Sequence, residues 1–290
     1  MAKIAFLGLG VMGYPMAGHL LKKGGHEVTV YNRSPAKAAQ WVKEYGGKSA
    51  ATPKEAAQGA DFVLMCVGND DDVRAVAYGA NGVLAGLKKG AILIDHTTAS
   101  AVVARELFSE AKKLGAGFVD APVSGGQGGA VNAQLGIMCG GDQADYDKAQ
   151  PVLAVYAKMC ALIGAPGAGQ LTKMVNQMAI VGILQSLSEA LNFGMKAGLD
   201  MEKVISVISK GAAQSWQMEN RWKTMVEGKF EGFGFASEWM RKDLNIALAE
   251  AKKNGAYLPS TALIEQNYGR ICSRGNGRWD NSALMDLLKG

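Results

Sequence analysis

One stretch near the N-terminus, from Lys3 to Gly13, limits the possible folds of this chain more than any other; it reads K-I-A-F-L-G-L-G-V-M-G. A short apolar run leads into Gly8, Gly10 and Gly13, which have the spacing G-x-G-x-x-G. A helical pattern follows, and the segment Glu27–Tyr31 comes where a second strand would lie. This order of strand, glycine turn, helix and strand predicts a βαβ unit of the kind that binds a dinucleotide.

The three glycines have separate roles in such a turn. Gly8 allows the tight turn, Gly10 lets the backbone approach a pyrophosphate, and Gly13 lets the helix pack closely on the strand. The N–H groups at the start of the helix, and the positive end of its dipole, would face the phosphates. We therefore predict cofactor contacts along the whole turn, at Gly8, Leu9, Gly10, Val11, Met12 and Gly13.

Up to about residue 165, short apolar segments alternate with helical patterns, which is typical of a doubly wound α/β domain. The early segments are almost continuously apolar, as expected for a parallel sheet that is covered on both faces. The predicted strands are Ile4–Leu7, Val28–Tyr31, Phe62–Cys66, Ile92–Ile94, Phe118–Val119, Ile137–Cys139 and Met159–Ile163. The predicted helices after the first are Pro35–Tyr45, Pro53–Gln58, Asp70–Tyr78, Ala99–Leu114 and Asp142–Tyr156.

The pattern changes near Gly164, where G-A-P-G-A-G marks a boundary. Residues Ala168–Ala197 have one continuous helical pattern, about 30 residues or about 45 Å long at 1.5 Å per residue. Further helices are predicted over Met201–Ser209, Gln214–Glu227, Ser237–Lys253, Ser260–Ser273 and Ser282–Leu288. The predicted fold class is α/β, with a Rossmann-type doubly wound sheet over residues 1–165 and an all-α domain over residues 166–290, joined by the long helix.

Composition argues against several classes of function. The formal charge is +5, and the basic residues are dispersed rather than interleaved with aromatic residues, so nucleic acid is not an expected partner. No apolar run approaches 18 residues and no signal-type segment opens the chain, so we expect a cytoplasmic protein without a membrane span. The cysteines and histidines lack metal-ligand spacing, so we expect no metal.

Three residues at the end of the second predicted strand, Asn32, Arg33 and Ser34, bear on cofactor choice. A site selective for NAD usually has an Asp or Glu here, which binds the ribose hydroxyls and repels a 2′-phosphate. In this chain Asn32 replaces the acid and Arg33 follows it. The sequence therefore predicts a preference for NADP(H) with NAD(H) still possible, although Arg33 as a solvated loop arginine is the alternative.

A second group follows a predicted strand at Asp120–Gly126, which reads D-A-P-V-S-G-G. Ligands of open α/β sheets bind at the carboxyl ends of the strands. Ser124 offers a hydroxyl group, and Gly125 and Gly126 expose backbone N–H groups, so together they can form a concavity that binds a carboxylate. The same residues are also typical of a plain loop.

A third candidate, Lys173, lies near the start of the long helix in an apolar setting, with Asn176 on the same face at i+3. Burial lowers the pKa of a lysine toward neutrality, which suits proton transfer to a carbonyl oxygen. From spacing alone, a surface lysine beside an asparagine is the better interpretation.

A fourth candidate group is Trp239, Lys242 and Asp243, which share a helix face at i, i+3 and i+4. From spacing alone, an ordinary amphipathic helix with a solvated Lys-Asp pair is the better interpretation.

Four motifs together resemble the β-hydroxyacid dehydrogenase family, which includes 3-hydroxyisobutyrate dehydrogenases, tartronate semialdehyde reductases and glyoxylate/succinic semialdehyde reductases. The resemblance covers the whole chain. Its motifs are G-L-G-V-M-G-Y-P-M-A at Gly8–Ala17, D-A-P-V-S-G-G at Asp120–Gly126, G-x-G-x-x-x-K-x-x-N at Gly167–Asn176 and K-D-L at Lys242–Leu244. Each motif is weak alone, but all four in this order are specific to the family.

On the substrate side, the resemblance implies that Lys173 is the general acid and base at the substrate oxygen. Ser124, Gly125 and Gly126 match the loop that binds the substrate carboxylate, and Asn176 assists them. The chain departs from the family at two positions where many members have asparagine. His19 is expected to affect helix packing only, and Gln177 bears on the orientation of the substrate.

On the cofactor side, the resemblance implies that Thr98 lies near the nicotinamide and that Lys242 contacts the cofactor, with Asp243 beside it near the substrate. Val67 and Gly68 lie in the loop that passes the adenosine half of the cofactor, although C-V-G replaces the family's proline-bearing sequence there.

The resemblance implies an NADP(H)-dependent oxidoreductase that interconverts a short 3-hydroxy acid and its semialdehyde, or reduces a small aldehyde or keto acid such as glyoxylate or succinic semialdehyde. Family members pack as homodimers or homotetramers through the long helix and the C-terminal domain. An imine reductase-like enzyme or a serine-type 3-hydroxy amino acid dehydrogenase is an alternative on the same scaffold, and a non-catalytic NADP-binding protein is a more remote one.

Overall fold

The structure is a computed structural model in which residues 1–288 are described. The described chain forms two compact units, Met1–Lys173 and the residues from Met174 onward. The sequence predicts a division after residue 165. The structure divides the chain later, within the long helix, because the first turn of that helix is bonded to the first unit, as described below.

The first unit is a sheet with helices between its strands. Its strands are β1 (Lys3–Leu7), β2 (Glu27–Tyr31), β3 (Lys48–Ser49), β4 (Phe62–Met65), β5 (Ile92–Asp95), β6 (Gly117–Asp120), β7 (Val123–Ser124), β8 (Leu135–Gly141) and β9 (Ala157–Gly164). Its helices are α1 (Gly13–Lys22), α2 (Pro35–Tyr45), α3 (Pro53–Ala57), α4 (Asp70–Ala77), α5 (Ala101–Lys113), α6 (Gly126–Val131) and α7 (Gln143–Leu153), with a 3₁₀ turn at Val83–Ala85.

The strand order is β3-β2-β1-β4-β5-β6-β8-β7, and β9 also pairs with β8. Strands β1 to β6 are parallel, whereas β8 runs antiparallel to β6 and β7. The chain moves outward from β1 in both directions, which makes the carboxyl ends of β1 and β4 a topological switch point where ligands bind. The predicted Rossmann-type sheet is confirmed, and three strands are added beyond β6: β8, which is antiparallel to β6, and its neighbours β7 and β9.

The sheet is covered on both faces, as the apolar strands predict. In β1, Ile4 and Phe6 belong to one buried cluster with Trp41, whereas Ala5 and Leu7 belong to a second cluster on the opposite face. Successive side chains of a strand point to opposite faces, so a strand that is buried on both sides must be apolar throughout.

Short polar residues begin several helices of the first unit. The side chains of Thr52, Asn69 and Ser100 accept hydrogen bonds from the backbone N–H groups of Glu55, Asp72 and Val103. Such caps satisfy N–H groups that the helix itself leaves without partners. The polar loops at the carboxyl ends of β4 and β5 therefore turn directly into α4 and α5.

Three short elements were not predicted: β3, β7 and α6. Each has only two to six residues, and α6 contains three glycines, which are poor helix formers. The predicted loop at Asp120–Gly126 is therefore corrected, because Val123–Ser124 pairs with β8 and Gly126 begins α6. Pairing with a distant strand supplies an order that local propensity does not predict.

The second unit contains the rest of α8 (Ala168–Lys196), then α9 (Met201–Ile208), α10 (Trp216–Glu227), α11 (Ser237–Asn254) and α12 (Pro259–Ser273). The final predicted helix is instead a 3₁₀ segment over Asn281–Leu288. One buried cluster, which includes Leu184, Leu244 and Tyr268, forms the core of this unit.

Helix α8 is long and apolar enough to cross a membrane by length and composition, with a mean hydropathy of 1.2 over 18 residues. Core helices of soluble proteins meet the same criterion, so a single helix of this kind is weak evidence for a membrane.

Candidate active site

The glycine turn after β1 is held by close backbone contacts. Gly8 has φ +97°, and an added Cβ there would lie 2.2 Å from the carbonyl oxygen of Cys66. An added Cβ at Gly13 would lie 1.9 Å from the carbonyl oxygen of Gly8. The fold itself therefore requires glycine at both positions, because the contacting atoms belong to the backbone and cannot move aside cheaply.

Gly10 differs from its two neighbours in the motif. An added Cβ at Gly10 would meet no atom within 4 Å in the described part of the chain. Met12 occupies the N-cap position of α1, where its side chain makes no capping hydrogen bond. The backbone thus presents an open face at the start of a helix, which is the arrangement that receives a phosphate group. The turn fits the pyrophosphate of a dinucleotide.

The residues predicted to choose the cofactor lie at the end of β2. The backbone N–H of Leu9 donates to Asn32 Oδ1 at 2.9 Å, and Asn32 Nδ2 donates to the carbonyl oxygen of Ser34 at 3.1 Å. Asn32 therefore fixes the glycine turn to the end of β2. A carboxylate could accept from Leu9 equally well but could not donate to Ser34.

Arg33 extends into solvent, where its side chain is 89% exposed and Nη1 lies 3.1 Å from Asp72 Oδ1 on α4. Sequence analysis missed Lys37, which lies in the first turn of α2. Lys37 lines a cavity of about 490 Å³ together with Gly10 and Val11. Its position three residues after Ser34 was the signal that could have identified it.

The loops after β4 and β5 are bonded to each other. The backbone N–H of Val67 donates to Thr97 Oγ1 at 3.0 Å, and the N–H of Thr97 donates to Asp95 Oδ1 at 2.9 Å. These contacts bring the segment Val67-Gly68 beside the loop that contains Thr98. Two of the predicted cofactor segments therefore share one edge of the sheet.

Asp120, the last residue of β6, caps the long helix. Its Oδ1 accepts from the backbone N–H of Gly167 at 2.7 Å, and its Oδ2 accepts from that of Gln170 at 2.9 Å. Burial raises the pKa of Asp120 to about 6, although these hydrogen bonds lower it. The cap fixes the first turn of α8 at the carboxyl edge of the sheet, and with it Lys173, whose exposed fraction is only 6%.

Ser124 ends β7 and is half-buried, and Gly125 stands at the N-cap position of α6. Gly125 and Gly126 have φ of +131° and +60°. A Cβ added at Gly126 would meet no atom within 4 Å among the described residues. Open space therefore adjoins the backbone of the predicted carboxylate loop.

The second unit has its own polar network. Asn176 Nδ2 donates to Gln177 Oε1 at 2.9 Å, and Gln177 Nε2 donates to Asp243 Oδ2 at 2.6 Å. Lys242 Nζ lies 3.2 Å from Asp243 Oδ1 and 5.9 Å from the centre of the Trp239 ring. The structure thus links Asn176, Asp243 and Lys242 through Gln177, a residue that sequence analysis noted only as a departure from the family.

The predicted site residues fall into both units. The first unit contains the glycine turn, Asn32, Arg33, Ser34, Val67, Gly68, Thr98, Ser124, Gly125, Gly126 and Lys173. The second contains Asn176, Lys242 and Asp243. Sequence analysis missed Gln170, whose buried side chain bonds to the loop that contains Thr98.

His19 joins α1 to α6 and also lines the cavity beside Gly10 and Val11. Its Nε2 lies 3.0 Å from the carbonyl oxygens of Ala130 and Val131 at the end of α6.

Family models match both parts of the chain. Residues 3–164 match the NAD binding domain of 6-phosphogluconate dehydrogenase. Residues 167–288 match the model described as NAD-binding of NADP-dependent 3-hydroxyisobutyrate dehydrogenase.

Individual relatives match over the full length. An uncharacterised oxidoreductase of Shewanella frigidimarina is 60% identical over 100% of this chain and 99% of its own length. A 2-(hydroxymethyl)glutarate dehydrogenase of Eubacterium barkeri is 37% identical over 98% and 94% of the two chains. A solved 3-hydroxyisobutyrate dehydrogenase of Mycobacterium tuberculosis, in complex with L-serine, has a TM-score of 0.91 at 31% identity over 100% of both chains. This chain belongs to the β-hydroxyacid dehydrogenase family, and is an oxidoreductase that uses a nicotinamide cofactor to act on the hydroxyl group of hydroxy acids.

Proposed function

We propose that the chain reduces a short semialdehyde or keto acid with NADPH and, in reverse, oxidises the corresponding hydroxy acid, a 3-hydroxy acid where the substrate is a 3-oxo acid. The observation that supports this most is the position of Lys173. Its side chain is buried, and it lies in the second turn of a helix whose first turn is capped by Asp120. Burying an amine is costly, so a buried lysine at the ligand-binding edge of a sheet is a candidate for proton transfer.

Lys173 is the proposed general acid in reduction and the general base in oxidation. In reduction, its ammonium group donates a proton to the carbonyl oxygen as negative charge develops there. In oxidation, the amine takes the hydroxyl proton back. General acid–base catalysis of this kind contributes roughly 10²–10⁴-fold to the rate.

The substrate carboxylate is proposed to bind at Ser124, Gly125 and Gly126. The Ser124 hydroxyl group can donate a hydrogen bond, and the two glycines leave the backbone N–H groups accessible. Successive N–H groups at such a turn favour an anion. Asn176, three residues after Lys173 on α8, is proposed to orient the substrate oxygen or the amine.

The cofactor is proposed to be held by the turn from Gly8 to Gly13, by Val67 and Gly68, and by Thr98. When bound, it donates or accepts the hydride. We propose a preference for NADP(H), because Asn32 leaves no carboxylate at the end of β2 and Arg33 and Lys37 supply positive charge nearby. Lys242 and Asp243 remain the proposed cofactor and substrate contacts of the second unit.

A serine-type dehydrogenase is the second candidate function. The Mycobacterium tuberculosis relative was solved with L-serine, which is itself a 3-hydroxy acid with an added amino group. The proposed roles of Lys173 and Ser124 would apply to it unchanged. The retained lysine argues against imine reduction as the main activity, and the full set of substrate residues argues against a non-catalytic cofactor-binding protein.

We also propose a cytoplasmic homodimer or homotetramer. Helix α8 presents large apolar side chains to solvent, among them Val175 and Phe193, which are 63% and 74% exposed. Large apolar side chains that one helix exposes to solvent can form an interaction surface. Light scattering after size exclusion would measure the subunit number, and a monomer at micromolar concentration would contradict the proposal.

The test of the main proposal is steady-state oxidation of NADPH and of NADH with glyoxylate and with tartronate, succinic and methylmalonate semialdehydes. The reverse reaction is measured with 3-hydroxyisobutyrate and L-serine. Lys173→Ala should lower kcat by about 10²–10⁴-fold while the Kd for NADPH stays within about two-fold. Lys196→Ala, at the exposed end of the same helix, is the matched control and should retain full activity. Near wild-type turnover by Lys173→Ala would disprove the assignment.

A further inference from the structure

We infer that Gln170 is a positioning residue, which holds the loop containing Thr98 in fixed register with the helix that contains Lys173. The inference rests on the proposed roles of Thr98 and Lys173.

The side-chain amide of Gln170 bonds on both sides of Thr98. Gln170 Oε1 accepts from the backbone N–H of Ala99 at 3.0 Å, and Nε2 donates to the carbonyl oxygen of Thr97 at 2.7 Å. One N–H and one carbonyl group of the loop therefore bond to the side-chain amide of Gln170, as they would to a peptide group of a neighbouring strand. Both ends of the Gln170 side chain are satisfied, and the residue is fully buried.

The backbone of Gln170 is fixed as well. Its N–H donates to Asp120 Oδ2 at 2.9 Å, at the end of β6. Thr97, in turn, accepts from the N–H of Val67 in the loop after β4. Gln170 thus connects the first turn of α8 to the end of β6 and to the loop after β5. Through Thr97, that loop is connected in turn to the loop after β4.

Lys173 follows Gln170 by three residues, which is less than one helical turn and about 4.5 Å along the axis. A helix is stiff over this distance, so the position of Gln170 determines the position of the Lys173 backbone. Loss of the amide bonds removes a direct link between the Thr98 loop and the helix, so their relative position would be held less tightly. A displacement near 1 Å between reacting groups can lower a rate about 100-fold.

The geometry requires a group that accepts at one end and donates at the other. Leucine at this position would leave the N–H of Ala99 and the carbonyl oxygen of Thr97 buried without partners. Ionised glutamate would place a second acceptor against the Thr97 oxygen. Protonated glutamate, however, can accept from Ala99 and donate to Thr97, as the amide does.

The experiment compares Gln170→Leu and Gln170→Glu with the wild-type enzyme across pH. Gln170→Leu should lower kcat about 10–100-fold, with the KM of the carboxylate substrate changed by less than about three-fold. In Gln170→Glu, the ratio of its kcat to the wild-type kcat should rise as pH falls, because protonation restores the donor. Gln185→Leu, on the same helix and half-exposed, is the matched control and should behave like wild type.

Lys173→Ala, measured in parallel, separates the two proposals. If Lys173→Ala loses activity but Gln170→Leu is folded and keeps wild-type kcat, the inference about Gln170 is wrong and the proposed function stands. If Lys173→Ala keeps its activity, the proposed function is wrong. Should Gln170→Leu fail to fold, Gln170→Glu decides. A kcat ratio that lies well below one and stays constant with pH would overturn the inference, because protonation would then not restore the function of the amide.

Discussion

Asp120 Oδ2 accepts a 2.9 Å hydrogen bond from the backbone N–H of Gln170, and this bond joins the end of β6 to the start of α8. Asp120 Oδ1 accepts a second bond from Gly167 one turn earlier. A fully buried carboxylate that accepts N–H groups at a helix N-terminus satisfies groups that the helix cannot satisfy itself. The position of Lys173 therefore depends on a residue of the sheet.

Replacing this cap should destabilise the first unit. In Asp120→Asn, one of the two carboxylate oxygens is replaced by an NH₂ group, which cannot accept from the backbone N–H that it faces. One charge-assisted hydrogen bond is therefore lost. We expect the free energy of unfolding to fall by about 2 kcal/mol, measured by urea denaturation. Asp147→Asn, an exposed residue bonded to Gln143, should change it by less than about 0.5 kcal/mol. Equal effects of the two substitutions would contradict the capping role.

Substitutions at two glycines of the turn should have different effects, one on folding and the other on cofactor binding. Gly13→Ala places a Cβ against the Gly8 carbonyl oxygen and should yield an unstable or insoluble protein. Gly10→Ala meets no atom of the described chain within 4 Å, so its Tm should stay close to wild type. Its Kd for NADPH, measured by fluorescence titration, should nevertheless rise at least about ten-fold, because a methyl group would enter the phosphate site. Wild-type NADPH binding by Gly10→Ala would show that the pyrophosphate lies elsewhere.

Arg33 should determine the preference between NADPH and NADH. An Arg–phosphate pair is a charge-assisted interaction worth about 1.5–3 kcal/mol, so Arg33→Ala should lower the NADPH/NADH ratio of kcat/KM about 10–100-fold. Asp72→Asn is the companion variant, because it releases Arg33 from its ion pair and removes a negative charge nearby. It should keep or raise the ratio. An unchanged ratio in Arg33→Ala would mean that the arginine is only a solvated loop residue.

The buried Asp95 should make stability depend on pH. Burial, together with the nearby carboxylates of Asp120 and Asp70, raises its pKa to about 7, although hydrogen bonds from Thr97 oppose this shift. The unfolded chain has an aspartate pKa of about 3.9, so the folded state binds the extra proton between about pH 4 and pH 7. The stability that Asp95 contributes is therefore complete below about pH 4 and is lost as the pH rises through 7.

Asp95→Asn removes this ionisation. Relative to wild type, its free energy of unfolding should increase with pH between 4 and 7, by at most about 1.4 kcal/mol per pH unit. The comparison with wild type also cancels the opposite effect of His96, whose pKa burial lowers to about 4. A difference between the two proteins that is constant with pH would show that Asp95 does not titrate in this range.

Local pattern was sufficient to identify most of the fold. The glycine turn, the alternation of strands and helices and the long helix α8 were all predicted within a few residues of their observed bounds. The reason is that G-x-G-x-x-G spacing, apolar runs and N-cap residues act within a few positions of each other. The family and the class of reaction followed from four such motifs in one order.

The sequence alone determined the cofactor-binding fold, the position of Lys173 on α8 and the membership in the family. Only the tertiary structure decided which residues hold them in place: Asp120 capping α8, Gln170 bonding on both sides of Thr98, and Gln177 joining Asn176 to Asp243. Asp120 and Gln170 are separated by 50 positions, and Gln177 and Asp243 by 66. Hydrogen bonds across such separations have no periodic signature, because they form only after the sheet and the helices bring distant parts of the chain together.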